Sequence, residues 1–387
     1  MRIALFSWEA VHSIFVGGIG VHVTDLACAM ERKGHEVHVF TRMAKRDHAQ
    51  YECVHGVHYH RCPYVGSSDF LEEVAQMCRS FVDTFFKTEN HVGPFDVLHG
   101  HDWLTAQALE WINKAKRHRS VFTIHSTEYG RCGNNFYGGQ SERIRHLEWL
   151  GTYCSDRVIS VSNTLKQEAM WLYSIPEEKA DVVYNGVRCS DFDGWIDPGV
   201  VRRQYDIGPM DPMVLAAGRL VYQKGPDLLI SAIPHVLNYY PNAKFVFAGD
   251  GEMRHEVEQQ AQRTGVSHAT RFVGKRNSAA LRDLFKATDC VCVPSRNEPF
   301  GIVILEAWSA GKPVVATVNG GPNEFVWHDV NGLKIQDNPE SIAWGIGTIF
   351  QDFDHARWMG HNGRMTVETT FSWDVIADET LDVYCEP

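Results

Sequence analysis

The sequence lacks several features that would assign it to common functional classes. Its ten cysteines form no Cys-x-x-Cys pair, and in a long chain they are expected to be reduced, buried thiols. No apolar run reaches the length that crosses a membrane, and Glu9 ends the first apolar segment too early for a secretory signal. The net charge of −11 argues against nucleic acid or an anionic membrane as the main partner. Together these absences predict a cytoplasmic protein.

One basic segment runs against the acidic balance of the chain. It covers residues 114–119, Lys-Ala-Lys-Arg-His-Arg, at the end of a predicted helix. A basic amphipathic helix can dock on a membrane, but this segment is short and has no aromatic residues flanking a clear apolar face. Because helix C-termini favour cations, we interpret it as a solvated helix end and expect no strong membrane binding.

What is present is the pattern of a large α/β protein. With 387 residues, 44% of them hydrophobic, the chain is long enough for two domains with separate cores. Predicted strands and helices alternate throughout, which favours parallel sheets with helices on both faces. Proline and glycine punctuate residues 191–212, which predicts an interdomain connection, and residues 371–384 have near-helical apolar spacing. The main predicted strands are residues 2–6, 36–41, 120–124, 157–161, 213–217 and 245–248.

The most informative stretch is Glu-Pro-Phe-Gly-Ile-Val-Ile-Leu-Glu, bracketed by Glu298 and Glu306. Pro299 and Gly301 predict a tight turn, and the apolar residues that follow predict the start of a helix. Unpaired N–H groups at such a helix start suit phosphate or sugar oxygens. The backbone N–H groups expected to donate these hydrogen bonds are those of Phe300, Gly301, Ile302 and Val303. Two carboxylates beside this turn favour a ligand with hydroxyls and phosphates, such as a nucleotide sugar. The alternative is an acidic loop followed by a solvated helix.

Two cations lie on a glycine-bounded loop after the strand predicted at residues 213–217. Arg219 and Lys224 stand between Gly218 and Gly225. Open α/β sheets bind ligands at the carboxyl ends of their strands, so we predict that this loop meets an anion; a solvated loop is the alternative. Two later strands end in similar loops, which contain Gly249 and the run Val273, Gly274 and Lys275.

In the first half, Gly17 and Gly18 follow a strand and precede a helix predicted from residue 21 to residue 33. Glycines at this position let the backbone approach a diphosphate. The spacing is not that of the dinucleotide fingerprint, and no ribose-binding acid follows where that fingerprint requires one. The loop therefore predicts a phosphate contact without predicting a dinucleotide.

Histidines follow two further strands of the first half. His99, His101 and Asp102 precede a predicted helix, and His125 begins a loop that contains Arg131. Alternate strand residues lie on one face, so His99 and His101 could bind zinc, but no third ligand of suitable spacing follows. We therefore predict no metal site. The alternative for His125 is a structural role, in which its ring forms hydrogen bonds within the protein and contacts no ligand.

The order and spacing of these motifs resemble those of the retaining GT-B glycosyltransferases of the glycogen-synthase-like and sucrose-synthase-like group. The resemblance covers nearly the whole chain. It implies two Rossmann-like domains facing across a cleft, at residues 1–195 and 196–364, with a helix in residues 365–387 that crosses back to the first domain. Phe15 stands where bacterial glycogen synthases carry a lysine, which separates this chain from that subgroup.

The resemblance also implies a role for each motif. Arg219 and Lys224 would neutralise the leaving diphosphate, Glu298 would hold the sugar and Glu306 the ribose, while His101 and His125 would close on sugar and phosphate. The other implied donor contacts are Gly17, Gly18, Gly218, Gly249, Val273, Gly274, Lys275, Phe300, Gly301, Ile302 and Val303. The implied acceptor contacts are Asp102 and Arg131. Glu9, just after the first predicted strand, is a further candidate acceptor contact, and a plain surface residue is the alternative.

The predicted function is transfer of a hexose from a nucleoside-diphosphate sugar to an acceptor hydroxyl, with retention of configuration and without a cofactor or metal. The loops that contain His101 and His125 look closest to those of α-glucan synthases, a resemblance that implies ADP- or UDP-glucose as donor and an α-glucan or small sugar as acceptor, and GDP-mannose stays open. The alternatives are a nucleotide-sugar epimerase on the same fold and a non-catalytic protein that binds a nucleotide sugar or glycan. A phosphorylase is disfavoured because no pyridoxal-binding lysine is evident.

Overall fold

A computed structural model describes residues 1–14, 17–44 and 48–386. The chain forms two compact units. One contains Met1–Gly186 together with Trp373–Pro387, and the other contains Val187–Ser372. Each unit has its own parallel sheet and its own apolar core.

The first unit is built on an eight-stranded sheet. Its strands are β1 (Arg2–Ser7), β2 (Glu36–Arg42), β3 (Tyr51–Val54), β4 (Val57–Cys62), β5 (Val97–His101), β6 (Arg119–Ile124), β7 (Arg157–Ser160) and β8 (Ala180–Val182). Their order across the sheet is β3-β4-β2-β1-β5-β6-β7-β8, and only the β3–β4 pair is antiparallel among the described strands. The strand order therefore reverses between β1 and β5.

Six described helices of this unit lie between its strands along the chain. They are α1 (Gly18–Arg32), α2 (Phe70–Val92), α3 (Ala106–Ala115), α4 (Glu128–Arg131), α5 (Gln140–Cys154) and α6 (Asn163–Tyr173). Helix α1 begins at Gly18 instead of the predicted residue 21, because Gly17 serves as its N-cap.

The second unit contains a six-stranded sheet in which every pair is parallel. Its strands are β9 (Met213–Ala217), β10 (Lys244–Ala248), β11 (Thr270–Phe272), β12 (Cys290–Val293), β13 (Val314–Thr317) and β14 (Gly332–Ile335). The order β11-β10-β9-β12-β13-β14 is that of a dinucleotide-binding Rossmann sheet, which binds ligands where the order reverses. In this unit the reversal lies between β9 and β12.

Eight helices of the second unit are described. They are α7 (Pro198–Arg203), α8 (Pro226–Leu237), α9 (Arg254–Arg263), α10 (Ser278–Ala287), α11 (Ile302–Ser309), α12 (Pro322–Phe325), α13 (Pro339–Gln351) and α14 (Phe353–Thr370). The last helix of the chain, α15 (Trp373–Cys385), belongs to the first unit, where the Tyr384 hydroxyl lies 2.6 Å from Nδ1 of His99.

The unit boundaries differ from the predicted ones. The first crossing falls after Gly186 rather than after residue 195, because the turn at Cys189–Phe192 packs Phe192 against Phe285 of the second unit. The second crossing falls after Ser372 rather than after residue 364. Residues 365–387 are therefore not one crossover helix, since α14 continues to Thr370 before α15 begins.

Two composition-based expectations can be compared with the coordinates. All ten cysteines lie within the described ranges and are free thiols, but only four of them are buried, and Cys53 and Cys385 are exposed, so the expectation of buried thiols is wrong for most of them. Among residues 1–14, 17–44 and 48–386, no helix combines the length and apolar character that a bilayer crossing needs.

A close helix contact in the second unit gives a stability prediction. A Cβ at Gly363 of α14 would lie 2.1 Å from Cδ1 of the buried Trp308 of α11, whereas a Cβ at Gly347 of α13 would meet nothing closer than 4.0 Å. We expect Gly363→Ala to lower the free energy of unfolding by about 1–3 kcal/mol, since overpacking forces the core to shift. Gly347→Ala, the matched control, should raise it by up to about 1 kcal/mol because alanine favours helix. Urea denaturation of both variants measures this, and equal stabilities would contradict it.

Candidate active site

The predicted ligand-binding residues follow the strands that flank the order reversal in each sheet. In the second unit the loop after β9 carries Arg219 and Lys224, and the loop after β12 carries Glu298. In the first unit the loop after β1 carries Glu9, and Asp102 directly follows β5. Because the carboxyl ends of parallel strands share one sheet edge, the topology collects the polar residues of each unit at one place.

Lys224 and Glu298 form the central ion pair of the second unit. Nζ of Lys224 donates to Oε1 of Glu298 at 2.8 Å and to Oε2 at 2.7 Å. The Ser295 hydroxyl donates to Oε2 at 3.0 Å, and the Glu298 residue is only 4% exposed. These bonds use about three of the roughly four lone-pair sites of a carboxylate, so one acceptor position is left for a further hydroxyl.

The loops around this pair are held by their backbones. The Glu298 N–H donates to the Asn319 carbonyl at 3.0 Å, and the Gly321 N–H donates to the Glu298 carbonyl at 2.9 Å. Gly225 has φ +63°, and a Cβ there would lie 2.1 Å from the Pro294 carbonyl. Glycine is therefore required beside Lys224, both for its left-handed backbone and for its close approach to the loop after β12.

Arg219 differs from Lys224 in its surroundings. It is exposed, and the described part of the chain offers its guanidinium no hydrogen bond or ion pair. The two cations of the predicted loop are thus unequal, because Lys224 is paired with Glu298 whereas Arg219 is exposed. Sequence spacing alone did not distinguish them.

The three glycine loops predicted to contact a donor lie against one another. The Gly218 N–H donates to the Ala248 carbonyl at 2.9 Å, and the Gly249 N–H donates to the Gly274 carbonyl at 3.1 Å. A Cβ on Gly249 would lie 1.8 Å from the Gly218 carbonyl oxygen. The Val273 N–H is taken by the Phe247 carbonyl at 3.0 Å, and Lys275 is exposed. These loops form one continuous backbone surface after β9, β10 and β11.

The turn before α11 has the predicted shape. Gly301 has φ +102° and caps a helix that begins at Ile302. Phe300 is buried with its ring 5.1 Å from that of Phe325, so its side chain supports the core. Burial raises the pKa of Glu306 to about 7, although the positive charge of Arg282 acts to lower it. Glu306 is therefore partly protonated near neutral pH, unlike an ordinary glutamate.

In the first unit, Asp102 is held in an unusual state. It has φ +65°, a left-handed conformation that costs free energy in a residue with a side chain. It is 5% exposed, and Oδ1 has no hydrogen-bond partner within the described ranges. Burial raises its pKa to about 6, although the charge of Arg131 acts in the opposite direction. Strain and an unpaired buried oxygen together mark a functional position.

His101 and His125 are brought together, and they are joined by His22, which the sequence analysis did not select. His101 Nδ1 lies 3.3 Å from His125 Nε2, and the His22 ring centroid lies 5.2 Å from that of His101 and 4.7 Å from that of His125. Burial lowers the pKa of His22 to about 4 and the pKa values of His101 and His125 well below their usual value. All three imidazoles are thus neutral at physiological pH.

His99 and His101 lie in strand β5, not in the loop that the sequence predicted. Both ring nitrogens of His99 have hydrogen-bond partners, since Nδ1 lies 2.6 Å from the Tyr384 hydroxyl and Nε2 lies 2.7 Å from Oγ1 of Thr123. His99 is therefore a structural residue that joins β5 to β6 and α15.

Two predicted acceptor contacts are engaged within the protein. Glu9 is 4% exposed, and its Oε2 accepts a 2.7 Å hydrogen bond from the Gly17 N–H. Glu9 therefore supports the glycine loop before α1, so the expectation of a surface or acceptor-facing side chain needs correction. The Gly17 N–H is likewise taken and is not open to a diphosphate. Gly18 is the first residue of α1, whereas Phe15 lies outside the described residues.

The predicted acceptor contact of Arg131 is wrong, because its guanidinium is engaged within the protein. Its Nε donates to Glu128 at 3.0 Å, its Nη1 to the Ser126 hydroxyl at 2.7 Å, and its Nη2 to Glu148 at 2.6 Å. Glu148 is fully buried and also accepts from the Tyr173 hydroxyl. Arg131 therefore braces the loop after β6, and a buried acid distant in sequence made this impossible to foresee.

Two family models match this chain. The model described as "Glycosyl transferases group 1" matches residues 200–366, and the model described as "Glycosyltransferase Family 4" matches residues 16–191. The two matches correspond to the two structural units.

Curated relatives align along nearly the whole chain. An uncharacterized glycosyltransferase of Methanocaldococcus jannaschii is 39% identical over 99% of this chain and 98% of its own length. A glycogen synthase of Mycobacterium tuberculosis is 29% identical over 99% of this chain and 94% of its own length. A D-inositol 3-phosphate glycosyltransferase of Xylanimonas cellulosilytica is 29% identical over 96% of this chain and 92% of its own length.

Solved structures share the fold over the same extent. Sucrose-phosphate synthase from Thermosynechococcus elongatus superimposes with a TM-score of 0.82, at 23% identity over 99% of this chain and 98% of that one. HepE of Anabaena in complex with UDP and glucose superimposes with a TM-score of 0.77, at 22% identity over 99% and 98%. The predicted GT-B fold class is confirmed.

The raised pKa of Glu306 predicts a pH-dependent stability difference. Its folded pKa of about 7 exceeds that of an unfolded glutamate, so its contribution is most favourable at low pH and is lost as pH rises through the folded pKa. At about pH 8, Glu306→Gln should therefore be more stable than the wild type by about 1–3 kcal/mol, and this gain should shrink towards pH 5. Denaturant unfolding at both pH values tests this, with the exposed Glu340→Gln as control. A gain that is independent of pH would contradict the shift.

Proposed function

Since the chain belongs to the group 1 glycosyltransferases, matching both family models and a 39% identical relative over almost its full length, we propose that it transfers a hexose from a nucleoside-diphosphate sugar to an acceptor hydroxyl with retention of configuration. The observation that carries the proposal is the Lys224–Glu298 pair at the order reversal of a Rossmann sheet, together with the exposed Arg219 on the same loop as Lys224. Such a site offers positive charge to a diphosphate and a carboxylate to a sugar.

Departure of the diphosphate is the step that the two cations assist. The exposed guanidinium of Arg219 pairs with phosphate oxygens directly. Lys224 carries its charge in a fixed position because Glu298 and Ser295 hold the pair. Fixed charges stabilise a developing anion without the cost of reorienting solvent. Because these cations supply the charge that Mg²⁺ supplies in other enzymes, we propose that transfer needs no metal.

The donor is held by the loops that follow the strands of the second unit. The remaining acceptor position of Glu298 receives a sugar hydroxyl, and the backbone at Gly301, Ile302 and Val303 faces sugar or phosphate oxygens at the start of α11. Glu306 contacts the ribose, and the loops with Gly218, Gly249 and Gly274 approach the phosphates and base. Glycine at these positions lets the backbone come close to a ligand.

The first unit supplies the groups that contact the transferred sugar and the acceptor. His101 and His125 are neutral imidazoles and can donate or accept hydrogen bonds from sugar hydroxyls. The unpaired Oδ1 of Asp102 receives an acceptor hydroxyl. Glu9 and Arg131 act behind this surface by supporting their loops, so we assign them positioning roles.

ADP- or UDP-glucose is the proposed donor. The M. tuberculosis relative is a glycogen synthase, and HepE was solved with UDP and glucose, which supports a glucose nucleotide. An α-glucan or a small sugar is the proposed acceptor. The ten free thiols agree with a reducing compartment, and we place the enzyme in the cytoplasm.

The proposal is tested by assaying Arg219→Ala against the wild type, after a panel of nucleotide sugars has identified the best donor with α-glucan, inositol phosphate and small-sugar acceptors. We expect kcat to fall about 100- to 1,000-fold, because the variant removes one of the two positive charges that stabilise the leaving diphosphate. Arg263→Ala, an exposed arginine at the end of α9, is the matched control and should keep normal activity. Lys224→Ala is less suitable, since it also leaves the buried Glu298 without its cation.

Near-normal kcat in Arg219→Ala would remove this residue from the proposed role. Turnover of the donor to an isomeric nucleotide sugar, with no acceptor consumed, would identify an epimerase instead. Tight donor binding without any turnover would identify a binding protein.

A further inference from the structure

The histidine cluster of the first unit has a geometry that the proposed transfer does not require. His22 comes from α1, His101 from the end of β5, and His125 from the residue after β6. One nitrogen of each ring can be chosen so that all three lie within 4.8 Å of one another. His101 Nδ1 and His125 Nε2 are 3.3 Å apart, which is about the separation of two nitrogen ligands on tetrahedral zinc with Zn–N distances of about 2.0–2.1 Å.

The protonation states suit a cation. His22 Nδ1 lies 2.8 Å from Oδ1 of Asn185, and an amide oxygen accepts, so Nδ1 of His22 carries the proton and Nε2 carries a lone pair. This is how metal-binding histidines are usually oriented, with the distal N–H donated to a carbonyl or carboxylate oxygen. Asn185 thus performs the orienting role for His22.

His101 contributes a second, independent observation. The residue is 0% exposed, and its Nε2 has no hydrogen-bond partner within the described ranges. A ring binds an ion through one nitrogen, so with Nδ1 of His101 as the ligand its Nε2 carries the proton, and a buried N–H group without a partner marks a ring that is incompletely satisfied by the protein alone. His99, by contrast, has both nitrogens engaged, so the candidate ligands are three and not four.

We infer that His22, His101 and His125 form a binding site for one divalent transition-metal ion of the zinc class, and that occupation of this site stops sugar transfer. Imidazole nitrogens favour zinc, copper and nickel over magnesium or calcium. The inhibitory consequence rests on the proposed function, because the ion would occupy the nitrogens of His101 and His125 that are assigned to the sugar. The binding site itself rests only on the geometry.

Binding is tested directly on untagged, metal-free protein. Titration with Co²⁺ should give the intense visible absorption bands of a tetrahedral site, and calorimetry with Zn²⁺ should give one ion per chain. We expect His22→Gln to weaken binding about 100-fold or more, and Asn185→Ala to weaken it about 10- to 100-fold through loss of orientation. The matched control is His58→Gln, which removes one ring from the separate stack of His38, His58 and His60 and should leave binding unchanged.

Absence of the Co²⁺ bands in the wild type would overturn the site, as would equal losses in His22→Gln and His58→Gln. Should His22→Gln fail to fold, as judged by circular dichroism, the wild-type bands and Asn185→Ala decide the question.

The consequence for activity is a separate measurement. Saturating Zn²⁺ should reduce transfer by the wild type at least about tenfold, EDTA should restore it, and His22→Gln should keep most of its own activity in Zn²⁺. Binding without any inhibition would overturn the inhibitory part and would also remove His101 and His125 from the sugar. If the protein transfers no sugar at all, the proposed function fails, while the Co²⁺ and Zn²⁺ titrations still decide the metal site.

Discussion

The buried ion pair of Lys224 and Glu298 is the interaction on which the second unit's site depends. An almost fully buried carboxylate is costly without a cation and hydrogen bonds, and here both are supplied by neighbouring loops. The pair ties the loop after β9 to the loop after β12, the two strands at the order reversal. Because Glu298 and Gly301 stand on the loop after β12, fixing this loop also positions the start of α11. A ligand therefore meets a charge pattern that exists before it binds.

The candidate site of the first unit differs from that of the second in the charge of its buried groups. The buried polar groups at its candidate site include the neutral imidazoles of His22, His101 and His125 and an acid, Asp102, whose pKa burial raises to about 6. Neutral groups are cheaper to bury than charged ones, and they can donate or accept hydrogen bonds according to the ligand. Arg131, whose charge is matched by Glu128 and Glu148, lies behind the loop after β6. The unit thereby combines a firm support with a weakly charged surface, which suits sugar hydroxyls better than phosphates.

Strand positions and loop chemistry could be predicted because they are local properties of the chain. The run Met213–Ala217 was predicted with its observed bounds, since a short apolar segment before glycine is a strong strand signal. The α/β class followed from the alternation of strands and helices, whereas the GT-B assignment followed from the resemblance of the motifs to a known family. The turn at Gly301 followed from its proline and glycine.

Contacts between distant residues could not be predicted in this way. Lys224 and Glu298 were assigned separate ligands because nothing local shows that they pair. His22 was missed because it is one of 20 histidines, and only the parallel packing of β1, β5 and β6 brings α1 beside His101 and His125. The unit boundary at Gly186 was also missed, since it depends on the packing of Phe192 against Phe285 and not on proline or glycine content.

The central claim is transfer with retention by attack on the leaving-group side of the sugar. Inversion needs a general base on the opposite face, and double displacement needs a carboxylate nucleophile there. Glu298 is engaged with Lys224 and Ser295, and Asp102 is assigned to an acceptor hydroxyl, so neither is proposed for that role. Proton NMR of the first product, recorded before the anomers equilibrate, reports the anomeric coupling constant. The account predicts an α linkage from an α-linked donor, and a β linkage would contradict it.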